Sequence, residues 1–267
     1  MNWGVKAADL MVAVREKKPL VHHITNFVVM NETANITLAC GALPVMAHAK
    51  EEAAEMAGQA SVLVLNIGTL WPDEVEAMKL AGHRANERGI PVVLDPVGAG
   101  ATAYRTRVSR ELLDELKISL VRGNVAEIGV LAGLDAEIAG VEAAGGPGGE
   151  KEAAVAFVGK YGCAAAVTGP VDVVAAPGIV LVIANGHKMM GTVTGTGCMA
   201  TTVLAAFAAV NDNMAEAAAA GLAVYGLAGQ IAAGEAKGPG TFHVLLYDAM
   251  ANLTEDEIRA GAKIDEI

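Results

Sequence analysis

Residues 61–95 read SVLVLNIGTLWPDEVEAMKLAGHRANERGIPVVLD, and this segment indicates the architecture more clearly than any other part of the chain. Ser61–Ile67 and Pro91–Asp95 are short and almost continuously apolar, as buried strands are. Between them, Pro72–Arg88 has a helical pattern, with Pro72 at a favoured position in the first turn. Apolar strands that alternate with helices are typical of a parallel sheet covered on both faces. The segment therefore predicts an α/β protein with a mostly parallel central sheet.

The same alternation continues on both sides of this segment. Strands are predicted at 19–26, 118–121, 164–167, 171–175 and 179–183, the last two as an antiparallel hairpin. Helices are predicted at 5–17, 31–40, 110–117, 197–210, 214–234 and 241–252. Gly140–Glu150 is rich in glycine and is predicted to be a surface loop. A chain of 267 residues with this organisation is most simply one domain that spans 1–267.

Composition argues against several classes of protein. The formal net charge is −11 and no dense Lys/Arg cluster occurs, so a nucleic-acid partner is not expected. Cys40, Cys163 and Cys198 lie far apart, so neither a disulfide framework nor a structural zinc site is expected. The N-terminus carries charges without an apolar core, and no apolar run reaches the roughly 20 residues of a membrane span. We therefore expect a cytoplasmic protein without a membrane-spanning segment.

Polar residues follow several of the predicted strands. Asn66, Asp95, Arg122 and Thr168 each stand at or just past the end of an apolar run. Parallel sheets bind ligands beyond the carboxyl ends of their strands, so these residues should share one edge. Ordinary explanations also hold, because Asp95 can cap the following turn and Thr168 can lie in a solvent turn. Met46 either fills the core or lines a flat apolar ligand.

Asn124 and Glu127 have the spacing of a capping box at the start of a helix. A carboxylate in the first helical turn near Asp95 would also complete a magnesium site, and Arg122 would then face phosphate. The two interpretations are compatible, because one geometry can serve both. An acidic protein that binds an anionic substrate needs such compensation from a metal ion, a helix N-terminus or an arginine.

The stretch Thr192–Cys198 reads TVTGTGC and runs directly into the Ala-rich segment Met199–Val210. Gly195 and Gly197 let successive backbone N–H groups turn toward one point, and the helix start adds unpaired N–H groups. The pattern predicts an anion site suited to phosphoryl transfer, although a plain glycine turn has the same sequence. Cys198 stands at the helix N-terminus, where the pKa of a thiol is expected to fall.

Taken together, these segments resemble the hydroxyethylthiazole kinase family. The resemblance rests on collinear motifs that extend over essentially the whole chain. They are PLVHHITN (19–26), NETAN (31–35), GALPVMA (41–47), LNIGT (65–69), LDPVG (94–98), RGNVAE (122–127), TGPVD (168–172), NGH (185–187), VTGTGC (193–198) and GPGTF (238–242).

The resemblance implies a ribokinase-like fold, a three-layer α/β/α sandwich, and a homotrimer with active sites between subunits. It implies transfer of the γ-phosphoryl group of ATP to the primary alcohol of 4-methyl-5-(2-hydroxyethyl)thiazole, a salvage step in thiamine diphosphate biosynthesis. The implied roles are ATP binding by Arg122 and Thr168, Mg²⁺ binding by Asp95 and Glu127, thiazole binding by Met46, Gly195 and Asn26, and catalysis by Gly195, Thr196, Gly197 and Cys198.

Two positions depart from related patterns. Ribokinase-like relatives generally place an aspartate base where this chain has Cys198, although cysteine there is usual in thiazole kinases. Pro170 occupies a position that is often acidic in the family. The alternatives are another vitamin-precursor kinase, a nucleotide-dependent NAD(P)H-hydrate dehydratase on the same fold, and an ATP-binding regulator without activity. Aspartate at 198 would favour the first two, and loss of Asp95, Glu127 or the 195–198 loop would favour the third.

Overall fold

The computed structural model describes residues 2–134 and 148–267 and places nine strands of these ranges in one sheet. The strands are β1 (Leu20–Ile24), β2 (Leu43–Met46), β3 (Val62–Asn66), β4 (Val92–Asp95), β5 (Leu120–Asn124), β6 (Ala164–Thr168), β7 (Asp172–Ala176), β8 (Ile179–Ile183) and β9 (Ile264–Glu266). Their order across the sheet is β2-β1-β3-β4-β5-β6-β7-β8-β9. Neighbours from β2 to β6 are parallel and the remaining pairs are antiparallel. The mostly parallel sheet and the β7–β8 hairpin are therefore confirmed.

Helices cover both faces of this sheet. Those described are α1 (Trp3–Lys17), α2 (Met30–Cys40), α3 (Lys50–Ala57), α4 (Pro72–Arg88), α5 (Ala103–Glu115), α6 (Val125–Ala132), α7 (Gly148–Tyr161), α8 (Thr196–Ala208), α9 (Met214–Glu235), α10 (Pro239–Asn252) and α11 (Glu255–Gly261), with a 3₁₀ turn at Lys188–Thr192. The core forms two apolar clusters, one on each face of the sheet. Helices α1, α2 and α8–α11 contribute to one cluster and α3–α7 to the other. This is the predicted three-layer α/β/α arrangement.

The central strands contribute to both clusters, because successive side chains of a strand point to opposite faces. In β3, Val62 and Val64 belong to one cluster, whereas Leu63 and Leu65 belong to the other. Both faces of the strand are dry, which explains its continuous apolar run. The polar Asn66 follows where the run reaches the carboxyl edge of the sheet.

Some predicted boundaries are wrong. Helix α5 begins at Ala103 rather than at 110. Thr102 caps this helix by accepting a 3.2 Å hydrogen bond from the Arg105 N–H. The first turn of the helix was missed because its residues lack the helical spacing of apolar side chains. Strand β5 continues to Asn124, so Arg122 lies within a strand rather than after one. The edge strand β2 and helix α3 were not predicted, because neither has a long apolar pattern.

The last three residues of the loop predicted at 140–150 and the end of the chain also differ from expectation. Residues 140–147 lie outside the described residues, and Gly148–Glu150 begin helix α7. Three helices were expected to close the chain, but α11 and β9 follow them. In β9, Ile264 pairs with Ile183 of β8, so the C-terminal segment completes the antiparallel side of the sheet.

Helix α9 is long and apolar enough to span a membrane by length and composition, so the expectation that no segment reaches this length is wrong. It has 22 residues, its most apolar window has a mean hydropathy of 1.4, and 72% of that window is buried inside the protein. The helix packs against α8, α10 and the sheet. Because a helix that is apolar all round is typical of a protein core, this packing accounts for its composition.

Glu74 of α4 is fully buried, and neither of its carboxylate oxygens has a hydrogen-bond partner among the described residues. Burial penalises the charged form and raises the pKa of Glu74 from 4.5 to about 8, a rise that the nearby Trp71 backbone only partly offsets. Between these two values the folded state binds more protons than the unfolded chain. The contribution of the protonated Glu74 to the free energy of unfolding is therefore complete below about pH 4.5, and it is lost as the pH rises through the folded pKa of about 8.

We expect the free energy of unfolding of Glu74→Gln to exceed that of the wild type by about 2 kcal/mol near pH 9, because the neutral amide carries no buried charge. Urea unfolding between about pH 5 and pH 9 measures this difference. Glu76→Gln changes an exposed residue of the same helix and should leave the pH dependence unchanged. If the free energy of unfolding changed with pH by the same amount in the wild type and in Glu74→Gln, the prediction would be contradicted.

Candidate active site

The carboxyl ends of the parallel strands bring the predicted polar residues together at one edge of the sheet. Asn66 and Asp95 pair in register at the ends of β3 and β4, as Asn124 and Thr168 do at the ends of β5 and β6. Asn26 follows β1, and its Nδ2 donates a 2.8 Å hydrogen bond to Asn66 Oδ1. The edge therefore collects amide, carboxylate and hydroxyl groups from neighbouring strands.

Asp95 is fully buried at the centre of this edge. Its Oδ2 accepts a 2.7 Å hydrogen bond from Thr201 Oγ1 and lies 3.8 Å from Arg122 Nη1. Burial raises the pKa of Asp95 to about 6, against the effect of Arg122 and with a further contribution from Glu127. Its Oδ1 is buried and has no partner among the described residues. Asp95 thus retains one carboxylate oxygen for a cation or a donor.

Glu127 forms the predicted capping box at the start of α6, and this prediction is confirmed. Its N–H donates to Asn124 Oδ1 and its Oε2 accepts from the Asn124 N–H, both at 2.9 Å. The other oxygen, Oε1, accepts a 2.8 Å hydrogen bond from the N–H of Gly98 in the loop after β4. A carboxylate oxygen has more than one lone pair, so these bonds leave Glu127 able to contact a cation.

Helix α8 begins within the glycine motif. Gly195 precedes its first residue with a φ of +89°, a conformation that glycine adopts without strain. A Cβ on Gly197 would stand 2.7 Å from Arg122 Nη1, so the missing side chain lets the guanidinium approach the helix start. Arg122 Nη2 also donates to Thr168 Oγ1. Unpaired backbone N–H groups, the positive helix end and a guanidinium therefore converge, which suits a phosphate.

Thr196 contributes to this helix start through its backbone. Its hydroxyl donates to the carbonyl oxygen of Met190 at 2.7 Å and lies 3.2 Å from the carbonyl oxygen of Val193, both in the preceding turn. Its own carbonyl oxygen accepts a 3.0 Å hydrogen bond from the buried hydroxyl of Tyr225. Because its side chain is engaged in this way, Thr196 is placed to meet an anion with its N–H rather than with its hydroxyl.

Cys198 lies beside the two amides, and its surroundings reverse the expected effect on its acidity. Its Sγ accepts from Asn66 Nδ2 at 3.1 Å and from Asn26 Nδ2 at 3.8 Å. Burial and the nearby Asp95 raise the pKa of the thiol to about 12, and the amides and Arg122 offset only part of this rise. The prediction of a lowered pKa is therefore wrong, because burial outweighs the helix N-terminus. The side chain is a neutral thiol at neutral pH.

A cavity of about 550 Å³ opens beside the start of α8. Arg122, Thr168 and Gly197 are among the residues that line it, so it adjoins the proposed anion site. Asp172 also lines it and accepts a 3.0 Å hydrogen bond from the Gly169 N–H, while burial raises the pKa of this aspartate to about 6. The volume falls in the range of small-molecule sites. The cavity therefore provides room for a ligand whose anionic end meets Arg122.

Met46 and the apolar residues after Asn26 lie toward the outside of the site. Met46 is half-buried at the end of the edge strand β2, which β1 and β3 separate from β4. Phe27 and Val28 are 61% and 57% exposed, and the Phe27 ring stacks on Trp71 with a centroid distance of 4.7 Å. The structure thus does not bring Met46 to Asp95, and an exposed apolar surface begins next to the amides.

Thr201 and Tyr225 belong to the site and were not predicted. Thr201 is 106 residues from its partner Asp95, and Tyr225 is 29 residues from its partner Thr196, so no local pattern connects either pair. One signal existed for Thr201, which lies four residues after Gly197 and therefore on the same face of α8. Tyr225 lies inside an apolar helix and has no such signal.

The oxygen donors of Asp95 and Glu127 fit Mg²⁺, which is usually held by one or two carboxylates together with water and substrate phosphates. The free Asp95 Oδ1 is the observation that supports this fit. Within residues 2–134 and 148–267, no group of three or more His, Cys, Asp or Glu side chains forms a complete metal site. A metal bound here would therefore need other ligands, such as phosphate oxygens.

Comparison with known proteins gives consistent matches. The sequence model of the hydroxyethylthiazole kinase family matches residues 11–256 of this chain. A hydroxyethylthiazole kinase from Chloroflexus aggregans is 53% identical over 267 residues, which cover 100% of this chain and 96% of that protein. The solved structure of a hydroxyethylthiazole kinase from Pyrococcus horikoshii OT3 has a TM-score of 0.91 at 45% identity and covers 98% of both chains. A ribokinase-like superfamily protein from Enterococcus faecalis V583 has a TM-score of 0.60 at 14% identity over 95% of this chain and 83% of that one, a likeness of fold alone.

Proposed function

The chain belongs to the hydroxyethylthiazole kinase family, and we propose that it transfers the γ-phosphoryl group of ATP to the primary alcohol of 4-methyl-5-(2-hydroxyethyl)thiazole. The products are the thiazole phosphate and ADP, and the phosphate serves thiamine diphosphate biosynthesis. The convergence of Arg122 with the glycine start of α8 is the structural observation that carries this proposal. The family match does not favour another vitamin-precursor kinase or a dehydratase. An inactive regulator is disfavoured because Asp95, Glu127 and residues 195–198 are present.

In this proposal, ATP occupies the cavity beside α8, with its phosphates toward the helix start. Arg122 and Thr168 line the cavity and bind the nucleotide. Backbone N–H groups of residues 195–197 stabilise the charge on the transferring phosphoryl group, as oriented donors do in water-poor sites. Residues 1–267 act as a single kinase domain, to which both layers of helices contribute.

Asp95 and Glu127 hold Mg²⁺ in the proposed enzyme. When bound, the metal neutralises phosphate charge and helps to orient the reacting group. Thr201 fixes one oxygen of Asp95, which leaves Oδ1 as the oxygen that faces a ligand. The Gly98 N–H fixes Glu127 in the same manner, so both carboxylates have defined orientations before any ligand binds.

The acceptor alcohol is proposed to lie beside Cys198 and Asn26. The amide groups there already act as donors to the thiol sulfur, and they orient a neutral group rather than a thiolate. Met46 and Gly195 are proposed to contact the thiazole ring. The resemblance to the family supports these two assignments, together with the position of Gly195 at the helix start.

A coupled ADP-release assay tests the proposed function. We expect kcat/KM for the thiazole alcohol to exceed that for hydroxymethylpyrimidine or pyridoxal by about 100-fold or more, when the three are measured in parallel. Product identification by mass should show one added phosphoryl group. A higher kcat/KM with either competing alcohol would replace the thiazole kinase assignment with that activity.

Cys198→Ala is expected to lower kcat by only about 10-fold. Phosphoryl transfer has a loose transition state, so positioning of the alcohol matters more than removal of its proton. Cys198→Asp should match or exceed the wild type, because it supplies the aspartate base expected in ribokinase-like relatives and because the Asn66 and Asn26 amides remain as donors to its carboxylate. Steady-state kinetics of both variants measures these effects. A loss of about 1000-fold or more in Cys198→Ala would instead make the thiol essential.

We further propose that the enzyme is a cytoplasmic homotrimer with active sites between subunits. Large apolar side chains are exposed at Phe27, Val28, Leu38 and Val244, with exposures of 61%, 57%, 55% and 62%. Two of them directly follow Asn26, so apolar surface adjoins the acceptor side of the site. Exposed apolar surface of this kind is typical of protein interfaces.

Sedimentation equilibrium at micromolar concentration is expected to show three chains per particle. Phe27→Asp places a charge in the apolar surface and should weaken both assembly and activity, because the site lies at the interface. Glu51→Gln, an exposed change on α3, is the control. A wild-type monomer that stays fully active at high dilution would contradict a shared active site.

A further inference from the structure

Arg105, in the first turn of α5, holds two backbone loops at the carboxyl edge of the sheet. Its Nη1 donates to the carbonyl oxygens of Val97 (2.7 Å) and Ile67 (3.2 Å), and its Nη2 donates to that of Gly68 (2.7 Å). Ile67 and Gly68 follow β3, whereas Val97 follows β4. One guanidinium therefore links the two loops that carry both sides of the proposed active site.

On the metal side, Arg105 acts on the peptide group between Val97 and Gly98. The carbonyl oxygen of this group accepts from Arg105, and its N–H donates to Glu127 Oε1 at 2.8 Å. Gly98 has a φ of +77°, and a Cβ there would lie 3.0 Å from Arg105 Cδ, so the loop packs closely on the arginine stem. The orientation of Glu127 thus depends on a peptide group that Arg105 holds at its other end.

On the acceptor side, Arg105 acts in the same way on the peptide group between Ile67 and Gly68. The carbonyl oxygen of that group accepts from Arg105, and its N–H donates to Asn66 Oδ1 at 3.0 Å. Asn66 in turn donates to Cys198 Sγ. A cation on a carbonyl oxygen polarises the peptide group and strengthens its N–H as a donor. The guanidinium therefore strengthens the hydrogen bond from the Gly98 N–H to Glu127 and the one from the Gly68 N–H to Asn66.

We propose that Arg105 is a positioning residue for phosphoryl transfer, which sets Glu127 and Asn66 in a fixed relation through these two peptide groups. The inference rests on the proposed kinase function. The cavity beside α8 is lined by other residues and includes neither Arg105 nor the two loops that it holds. Nucleotide binding without Mg²⁺ should therefore be independent of Arg105, whereas turnover, which needs Glu127 and Asn66, should depend on it.

Steady-state kinetics and calorimetric ADP titration without Mg²⁺ on three variants test this proposal. Arg105→Met keeps an apolar stem without donors, and we expect kcat to fall about 30-fold with ADP affinity unchanged within about twofold. Arg105→Lys keeps the charge but loses the planar fork, so its kcat should fall only about fivefold. Arg107→Met changes an exposed arginine of the same helix and should match the wild type. A folded Arg105→Met with wild-type kcat, or with equal losses of kcat and ADP affinity, would overturn the proposal.

Hydrogen exchange supplies a readout that does not depend on activity. The backbone N–H groups of Gly68 and Gly98 should exchange faster in Arg105→Met and at the wild-type rate in Arg107→Met. Unchanged exchange rates of both N–H groups would overturn the proposed positioning of Glu127 and Asn66 by Arg105, even if kcat fell. If Arg105→Met does not fold, Arg105→Lys carries both tests, and wild-type kcat and exchange in that variant would overturn the proposal. A wild-type enzyme without thiazole kinase activity would refute the proposed function instead, a result distinct from the exchange outcome.

Discussion

The Asp95→Asn enzyme is expected to lose about 10³-fold in kcat while it unfolds close to the wild-type temperature. Asp95 supplies the buried, unpartnered Oδ1, and an amide in its place carries no negative charge for a metal. Asparagine has nearly the same shape, so its amide oxygen can still accept the hydrogen bond from Thr201. The change leaves Arg122 without its nearest carboxylate but also removes a buried charge, and these effects on stability oppose each other.

Steady-state kinetics with Mg²⁺ and ATP varied separately measures this loss, and thermal unfolding checks the fold. Glu127→Gln should lose less, about 30-fold, because the glutamine oxygen can still accept from the Asn124 N–H and preserve the start of α6. Its amide nitrogen cannot accept from the Gly98 N–H, so the orientation of the side chain is weakened. Asp114→Asn removes an exposed carboxylate from α5 and serves as the control for net charge. Full activity of both Asp95→Asn and Glu127→Gln at limiting Mg²⁺ would exclude the proposed metal site.

The location of the candidate site was predictable because the sheet is parallel. Apolar runs showed where strands ended, and strands that run parallel end at a common edge. The structure indeed pairs Asn66 with Asp95 and places Thr168 beside Asn124. The capping box was equally accessible, because both of its partners lie within one turn of the chain. Their roles in binding and catalysis remain predictions.

Interactions between distant segments were not predictable. Arg105 belongs to a polar first turn that the sequence did not identify as helical, and its partners lie 8 to 38 residues away. The acidity of Cys198 was predicted with the wrong sign for a related reason. A helix N-terminus can be inferred locally, but burial beside Asp95 follows only from the complete fold. Local patterns thus gave the position of the groups, and tertiary packing determined their protonation and orientation.

Gly197→Ala should impair the enzyme without weakening its fold. Gly197 is the second residue of α8, and alanine is a better helix former than glycine by up to about 1 kcal/mol. Its new Cβ would lie 2.7 Å from Arg122 Nη1 and 3.0 Å from Nη2. The contact can be relieved because it involves the end of a long side chain. The movement, however, displaces the guanidinium from the start of the helix, where the phosphate is proposed to bind.

We therefore expect kcat/KM for ATP to fall about 100-fold in Gly197→Ala, and ADP affinity to fall with it, while the melting temperature stays equal or rises. Gly234→Ala is a matched control, because Gly234 lies in α9 and a Cβ added there would have no neighbour within 4 Å among the described residues. Unchanged ADP affinity in Gly197→Ala would show that Arg122 does not bind the phosphates from its observed position. A variant that gains helix stability and loses nucleotide binding would instead show that glycine at 197 serves the approach of Arg122 rather than the fold, as expected where function and stability oppose each other.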